Sequence, residues 1–430
     1  MTAALAALVA AAPGDLVLPP GDRRAAVEVP TPLSLVDALD LGSGRHVAVV
    51  SDANLHRWTV PLVVDDDAVR RATPGDGVAA ALARGPAAPA PFRLDVWERA
   101  DLHAERAVVV DQTNESVVVG DRAIVKWQLQ LPALGDAADP SARKLASLAA
   151  AGFTGVPRTW SLLRHGAALV AVVAEYLPDA EDGWAWAVED VRAMVRGQMS
   201  LDDALVPVGE LGRLTADLHL ALARSGRQRA TDTDTSHWRG QALMELLGAL
   251  ETVDGPEGER LRARAARLEA GLAMLNFAGG AVKIDVHGDL HVGQWLRHGA
   301  PPRYAVTDFD GSPVVPAAER ERRQPAARDV ASMLASLDHV GRIVIRRTDG
   351  VDVTAVRGWM RAAEDAFLTA YRLRLADAGA SELLEERLLR PMRLQQECRE
   401  LLYAVQHLPL WRYVPDEALA DLLPDEPSED

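Results

Sequence analysis

Asp285-Val-His-Gly-Asp-Leu-His-Val-Gly-Gln294, followed by Tyr304-Ala-Val-Thr-Asp308-Phe-Asp310-Gly, decides how the rest of the chain is read. Asp289 is a carboxylate set between glycine-bearing turns. Gln294 brings a neutral amide oxygen, and Asp308 closes a short β-branched run. Phosphoryl transfer from a nucleotide uses these parts. One carboxylate orients the acceptor hydroxyl and takes its proton, while an amide and a second carboxylate hold magnesium on the phosphates. Magnesium takes few protein ligands beside waters and phosphate oxygens, so Gln294 and Asp308 suffice, with Asp310 a third candidate. The run 304–308 predicts a buried strand with an acid at its end, a costly placement unless that acid is paired or metal-bound.

His287 and His291 are spaced as two metal ligands on one helix face would be. Gly288 and Gly293 argue against a regular helix there. His287 is therefore expected to bond backbone inside the loop, and His291 to touch the loop or the substrate. Further upstream, residues 106–126 read as three strands joined by turns at Gln112–Ser116 and Gly120-Asp121. Lys126 closes the third strand. The first turn lacks the glycines of a protein-kinase loop, and Thr113, Asn114 and Ser116 offer backbone N–H groups and hydroxyls instead.

His287–Gln294 with Asp308-Phe-Asp-Gly resembles the catalytic and metal loops of the aminoglycoside phosphotransferase and maltokinase group, small-molecule kinases with a protein-kinase-like fold. Leu211-Gly-Arg-Leu-Thr-Ala-Asp-Leu-His219 is similar to the helix before that loop. Arg328-Asp329-Val-Ala-Ser-Met-Leu is similar to the helix after it, with Asp329 as an N-cap that ties the helix to the loop. The match spans about residues 100–415, with its parts in the right order. It implies an α+β, bilobal fold with an N-terminal cap subdomain (1–100), a small nucleotide-binding lobe (101–178) and a mostly helical catalytic and sugar-binding lobe (179–430). It implies ATP and Mg2+ as cofactors, Lys126 and the 113–116 turn on the phosphates, and adenine against the backbone of Glu175, Tyr176 and Leu177. One departure stands out: the helix after the small sheet carries Arg143 where many relatives place the glutamate that partners the lysine.

The acceptor is read from the C-terminus. Gln396, Glu400 and Tyr403 fall on one helical face, Glu397 lies beside it, and Trp411 follows a proline-containing turn. Acids and amides on hydroxyls, with an aromatic ring on the apolar sugar face, suit a monosaccharide. A solvated surface helix is the other reading. The whole chain also resembles the actinobacterial glucosamine kinases, a maltokinase-like branch. That resemblance implies transfer of the γ-phosphoryl of ATP to the 6-hydroxyl of D-glucosamine, with Asp289 as base. Asp289, His291, Gln396, Glu397, Glu400, Tyr403 and Trp411 would touch the sugar. A maltokinase, an aminoglycoside phosphotransferase and a nucleotide-binding pseudokinase are the alternatives. Retention of Lys126, Asp289, Gln294 and Asp308 together disfavours the last.

Composition fits this. A net charge of −16, with no basic stripe and no platform of aromatics, disfavours nucleic acid and anionic membranes. No apolar run is long enough to span a bilayer. The apolar start, Met1-Thr-Ala-Ala-Leu, has no positive charge before Arg23, so a helix is expected rather than a secretory signal. The single cysteine, Cys398, fits a reducing cytoplasm. A monomer is favoured, with an acidic, frayed tail from Asp421 to Asp430.

Overall fold

The computed structural model describes residues 2–18, 31–65, 68–108, 115–132, 140–312 and 315–424, so Thr113 and Asn114 lie outside the described residues. The chain divides into two compact units, Met1–Asp179 and Ala180–Asp430.

The N-terminal unit holds two antiparallel sheets. Strands Ser34–Gly42, Arg45–Ser51, Arg57–Asp65 and Ala68–Arg71 pair in chain order, and Gln130–Leu131 joins Arg57–Asp65. The apolar helix Thr2–Ala11 lays Leu5 and Val9, one turn apart, against this sheet among Ala48, Val50, Val60 and Leu62. The second sheet runs Phe92–Val96, Thr159–His165, Ala168–Glu175, Ala123–Trp127, Glu115–Val119, Glu105–Ala107. Its core is shared with the first sheet: Val47 and Val49 pack in one cluster with Val117, Val125, Trp127 and Val170, joined by the buried helix Val78–Ala83. The layers do not divide at one chain position. Phe92–Val96, ahead of residue 100, edges the second sheet, and Gln130–Leu131, after it, extends the first.

Period-two alternation sets Lys126. Ala123, Val125 and Trp127 are buried, which turns Ile124 and Lys126 to the less covered face. Lys126 sits between Ser116 and Val172 on the neighbouring strands.

The C-terminal unit is mainly helical. Leu201–Leu222 packs along Val353–Asp377. Ala327–Arg347 is buried on most of its circumference, with Leu389–His407 against it and the hairpin Asp232–Thr252/Gly255–Ala273 beyond. A capping box of Thr231 and Asp234 starts that hairpin. The tail is more ordered than its acidity suggests. Asp421 and Leu422 belong to helix Tyr413–Leu422, and the Asp421 carboxylate accepts from buried Arg342 at 2.6 Å. Residues 425–430 lie outside the described residues. Among the described residues, no helix is long and apolar enough to cross a membrane.

Candidate active site

Strand Val282–Ile284 feeds directly into the loop 285–294, and the loop's shape is set by one buried carboxylate. Asp329 accepts from the N–H of His287 at 2.7 Å and of Gly288 at 2.9 Å, and from His219 Nε2 at 3.1 Å. It does not cap its own helix: the cap position is Ala326, which makes no side-chain bond, and Asp329 turns instead to the loop. Behind it, the Tyr371 hydroxyl lies 2.7 Å from His219 Nδ1. Burial pushes the Asp329 carboxyl upward, but His219, His287 and the Gly288 amide outweigh it and leave it below its usual range.

His287 is structural. Its Nε2 donates to the Thr307 carbonyl at 2.9 Å and its Nδ1 accepts from the Asp289 amide at 3.3 Å, which defines one neutral tautomer. Phe309 packs on the same ring at 4.8 Å. Among the described residues no three His, Cys, Asp or Glu side chains gather into a metal cage, so the two histidines and Asp289 do not form one.

Two glycines let the helix Gly183–Val195 press on this loop. A Cβ at Gly183 would lie 1.7 Å from the Val292 carbonyl oxygen, and one at Gly293 would lie 2.4 Å from Trp184 Nε1. The close approach stacks Trp184 on His291, with ring centres 5.9 Å apart and planes inclined by 26°. Trp411 meets the other side of Trp184 edge-on at 6.3 Å.

These rings, together with the loop and the C-terminal helix, enclose a cavity of ≈ 840 Å³. Asp289 and His291 enter its wall from the loop, Gln396, Arg399, Glu400 and Tyr403 from helix Leu389–His407, His339 from the central helix, and Trp184 and Trp411 from its rim. Asp289 is half-buried. Desolvation raises its carboxyl above the usual range; His291 opposes this, and the nearby Glu400 and Asp308 charges reinforce it. The Gln396 amide donates to Glu400 at 2.8 Å.

Glu397 is placed differently from its expected role. Helix periodicity turns it away from the cavity into full burial, where it accepts from His339 Nε2 at 3.0 Å. Burial pulls His339 down, but Glu397, Glu400 and Asp338 raise it overall.

The metal-binding candidates stand outside this cavity wall. The Gln294 amide nitrogen donates to His291 Nε2 at 3.3 Å, which leaves the amide oxygen as the atom that could meet a cation. Asp308 is not the buried strand-end acid its sequence suggested: the strand is Arg303–Val306, and Asp308 lies past it, exposed, with φ of 64°. The Asp310 carbonyl accepts from Arg320 at 3.1 Å. One amide oxygen and one exposed carboxylate fit a cation that draws its remaining ligands from phosphates and water.

In the N-terminal unit, Ser116 lies on the strand beside Lys126 rather than in a turn. The Glu175 and Tyr176 N–H groups donate to the carbonyls of Arg158 and Arg122 at 2.8 and 2.9 Å. Of the three residues expected to meet adenine, Glu175 and Tyr176 therefore have their N–H groups already engaged.

Sequence reading assigned no role to Trp184, His339 or Arg399. His339 carried a signal: Ser332, Ser336 and His339 recur at spacings of four and three on one helix face, and all three line the cavity. Trp184 carried none, because its position depends on Gly183 beside it meeting a loop, with Gly293, far along the chain.

A half-buried carboxylate facing an acid, amide and aromatic wall, with an oxygen ligand pair alongside, defines a kinase of small hydroxylated molecules. The chain is 53% identical over 436 residues to a glucosamine kinase of Streptacidiphilus jiangxiensis, covering 99% of each chain. It is 41% identical over 400 residues to a glucosamine kinase of Mycolicibacterium smegmatis, covering 90% of this chain and 98% of that one. It belongs to the glucosamine kinase family. A solved glucosamine kinase in complex with glucosamine, ADP and inorganic phosphate matches with a TM-score of 0.89 at 50% identity, covering 97% of this chain and 99% of that one. Crystal form B of a glucosamine kinase matches with a TM-score of 0.91 at 51% identity, covering 98% and 99%. No family model matches the chain.

Proposed function

We propose that this chain transfers the γ-phosphoryl group of ATP to the 6-hydroxyl of D-glucosamine. The observation that supports this most directly is the cavity itself, which brings Asp289 of the loop and Gln396, Glu400, Tyr403 and Trp411 of the C-terminal segment onto one wall. A relative in the same family was solved with glucosamine and ADP bound. The Glu400 carboxylate offers an ammonium a charge-assisted bond, and Gln396, which donates to Glu400, holds that carboxylate in place. The Trp411 ring is the apolar surface for the pyranose.

Asp289 accepts a hydrogen bond from the acceptor hydroxyl and turns its lone pair toward phosphorus. As that oxygen bonds to the γ-phosphorus, its proton passes to Asp289, the bond to the β–γ bridging oxygen breaks, and ADP leaves. A carboxyl raised above its ordinary range is a better-matched base near neutrality. Asp329 contributes by fixing the loop through two N–H groups, so Asp289 is presented without reorganisation. Gln294 and Asp308, with Asp310 as a third candidate, would hold magnesium, which when bound supplies charge neutralisation on the phosphates. In the N-terminal unit, Lys126 and Ser116 are assigned to phosphate, and Leu177 to adenine.

The test is nucleotide consumption with magnesium-ATP against glucosamine, N-acetylglucosamine, glucose, maltose and an aminoglycoside, with the product position read by phosphorus and proton NMR. Turnover confined to glucosamine, with phosphate on C6, is expected. Preferred turnover of maltose or of the antibiotic would overturn the acceptor assignment.

A further inference from the structure

Resting on the glucosamine reading above, we propose that Glu245, a residue outside the cavity, determines the preference for an amino sugar by anchoring and neutralising Arg399 on the cavity wall. Glu245 lies on helix Asp232–Thr252, and the sequence gives no hint of a role for it. Its Oε1 accepts from Arg399 Nη2 at 2.8 Å and Nε at 3.2 Å, and its Oε2 accepts from the Gln395 amide at 2.9 Å. Arg399 Nη1 donates onward to the Gln396 amide oxygen at 3.4 Å, and the Gln396 amide nitrogen donates to Glu400 at 2.8 Å. A single chain of donors therefore runs from the helical hairpin to the cavity. It fixes which way the Gln396 amide faces, because its nitrogen must meet a carboxylate and its oxygen a guanidinium.

Charge gives the chain its consequence. Arg399 is adjacent in sequence to Glu400, and both line the cavity. A bare guanidinium there would compete with an ammonium for Glu400 and repel it. Glu245 offsets the charge of Arg399, and of the Arg328 guanidinium that lies near both, so Glu400 keeps its attraction for a cation. The pair is mostly dry, with side-chain exposures of 10% for Arg399 and 21% for Glu245, so its charges are weakly screened. Neutral sugars do not sense this balance, because their hydroxyls bond to a carboxylate whether or not a cation stands beside it.

Glu245→Gln keeps the shape and removes the charge. In steady-state kinetics with saturating magnesium-ATP, KM for glucosamine is expected to rise by about tenfold, with a smaller change in kcat. The same parameters for glucose should change much less, so the amino-sugar preference contracts by about the same tenfold factor. Removing the stranded cation as well, in Glu245→Gln/Arg399→Gln, should restore part of that preference. Glu245→Asp, which retains the charge, serves if the amide variant folds poorly, and should keep most of the preference. An unchanged glucosamine KM in Glu245→Gln, or equal losses for both sugars, would overturn the inference. Failure of the unaltered chain to phosphorylate glucosamine would instead overturn the function proposed above, leaving the two results distinguishable.

Discussion

His219 donates from Nε2 to the Asp329 carboxylate at 3.1 Å, both side chains being essentially without solvent. His219 in turn accepts at Nδ1 from Tyr371, so three helices, Leu201–Leu222, Ala327–Arg347 and Val353–Asp377, converge on the acid that holds the catalytic loop. The arrangement separates support from the proposed chemistry: Asp329 shapes the loop, and Asp289 is left for the base role proposed above.

Asp329→Asn removes one acceptor from the His287 and Gly288 amides and leaves His219 short of a partner. A loss of about 3 kcal/mol in unfolding free energy is expected, together with a kcat decrease of at least tenfold. Tyr371→Phe should cost only about 1 kcal/mol with kcat little altered. Urea unfolding and steady-state kinetics check both.

Asp289→Asn should lower kcat by about a hundredfold or more while nucleotide affinity, read by calorimetry, stays nearly intact. With Asp289 as the proposed base, activity in the unaltered chain requires the ionised carboxylate, so kcat/KM should rise with pH through a value above the ordinary aspartate range. Because an ionised carboxylate in a desolvated position destabilises the fold, Asp289→Asn should also raise the thermal midpoint slightly. Comparable turnover in the variant would remove Asp289 from the base role.

Trp411→Ala should raise KM for the sugar by roughly tenfold, with little loss of stability, because the ring is only partly covered and its contacts are with Trp184 and Arg347 at the rim. Steady-state kinetics with varied glucosamine at saturating magnesium-ATP check it.

His339→Leu strands the Glu397 carboxylate in full burial and should cost about 3 kcal/mol. Replacing both, as His339→Leu/Glu397→Gln, should recover a good part of that loss. Denaturant midpoints of the single and double variants decide it.

Acid should weaken the helical unit through Asp234. Burial raises its carboxyl, but Lys283 at 2.6 Å and the Thr231 cap bonds hold it down to about 2. A depressed carboxyl contributes stability above its unfolded value near 4, and that contribution disappears as pH falls from about 4 to about 2. Asp234→Asn should therefore flatten the stability curve over that interval, as followed by thermal melts at successive pH values.

Much of the candidate site's grouping was legible because it is local. The catalytic loop, the following acid and the C-terminal helix each carry their chemistry within about ten residues, and helix period alone predicts that Gln396, Glu400 and Tyr403 share a face. Glu397 was misplaced because adjacency in sequence on a helix means a turn of about 100° in space. Asp308 was read as buried because the apolar run before it looks like a core strand, whereas the strand stops at Val306 and Asp308 lies beyond it with positive φ. Glu245 and Trp184 were not legible. Their positions depend on which helix lies against which, and that pairing is decided by packing among segments far apart in the chain.

The interleaving of the two N-terminal sheets bears on how this protein was assembled. A cut at residue 100 would not release a module: it would carry off Phe92–Val96, the edge of one sheet, and strand Gln130–Leu131 away from the other. Neither piece would retain the apolar cluster that both sheets fill. The first hundred residues thus form one structural unit with the following eighty, so grafting this N-terminus onto another kinase should succeed only if its partner sheet is transplanted too.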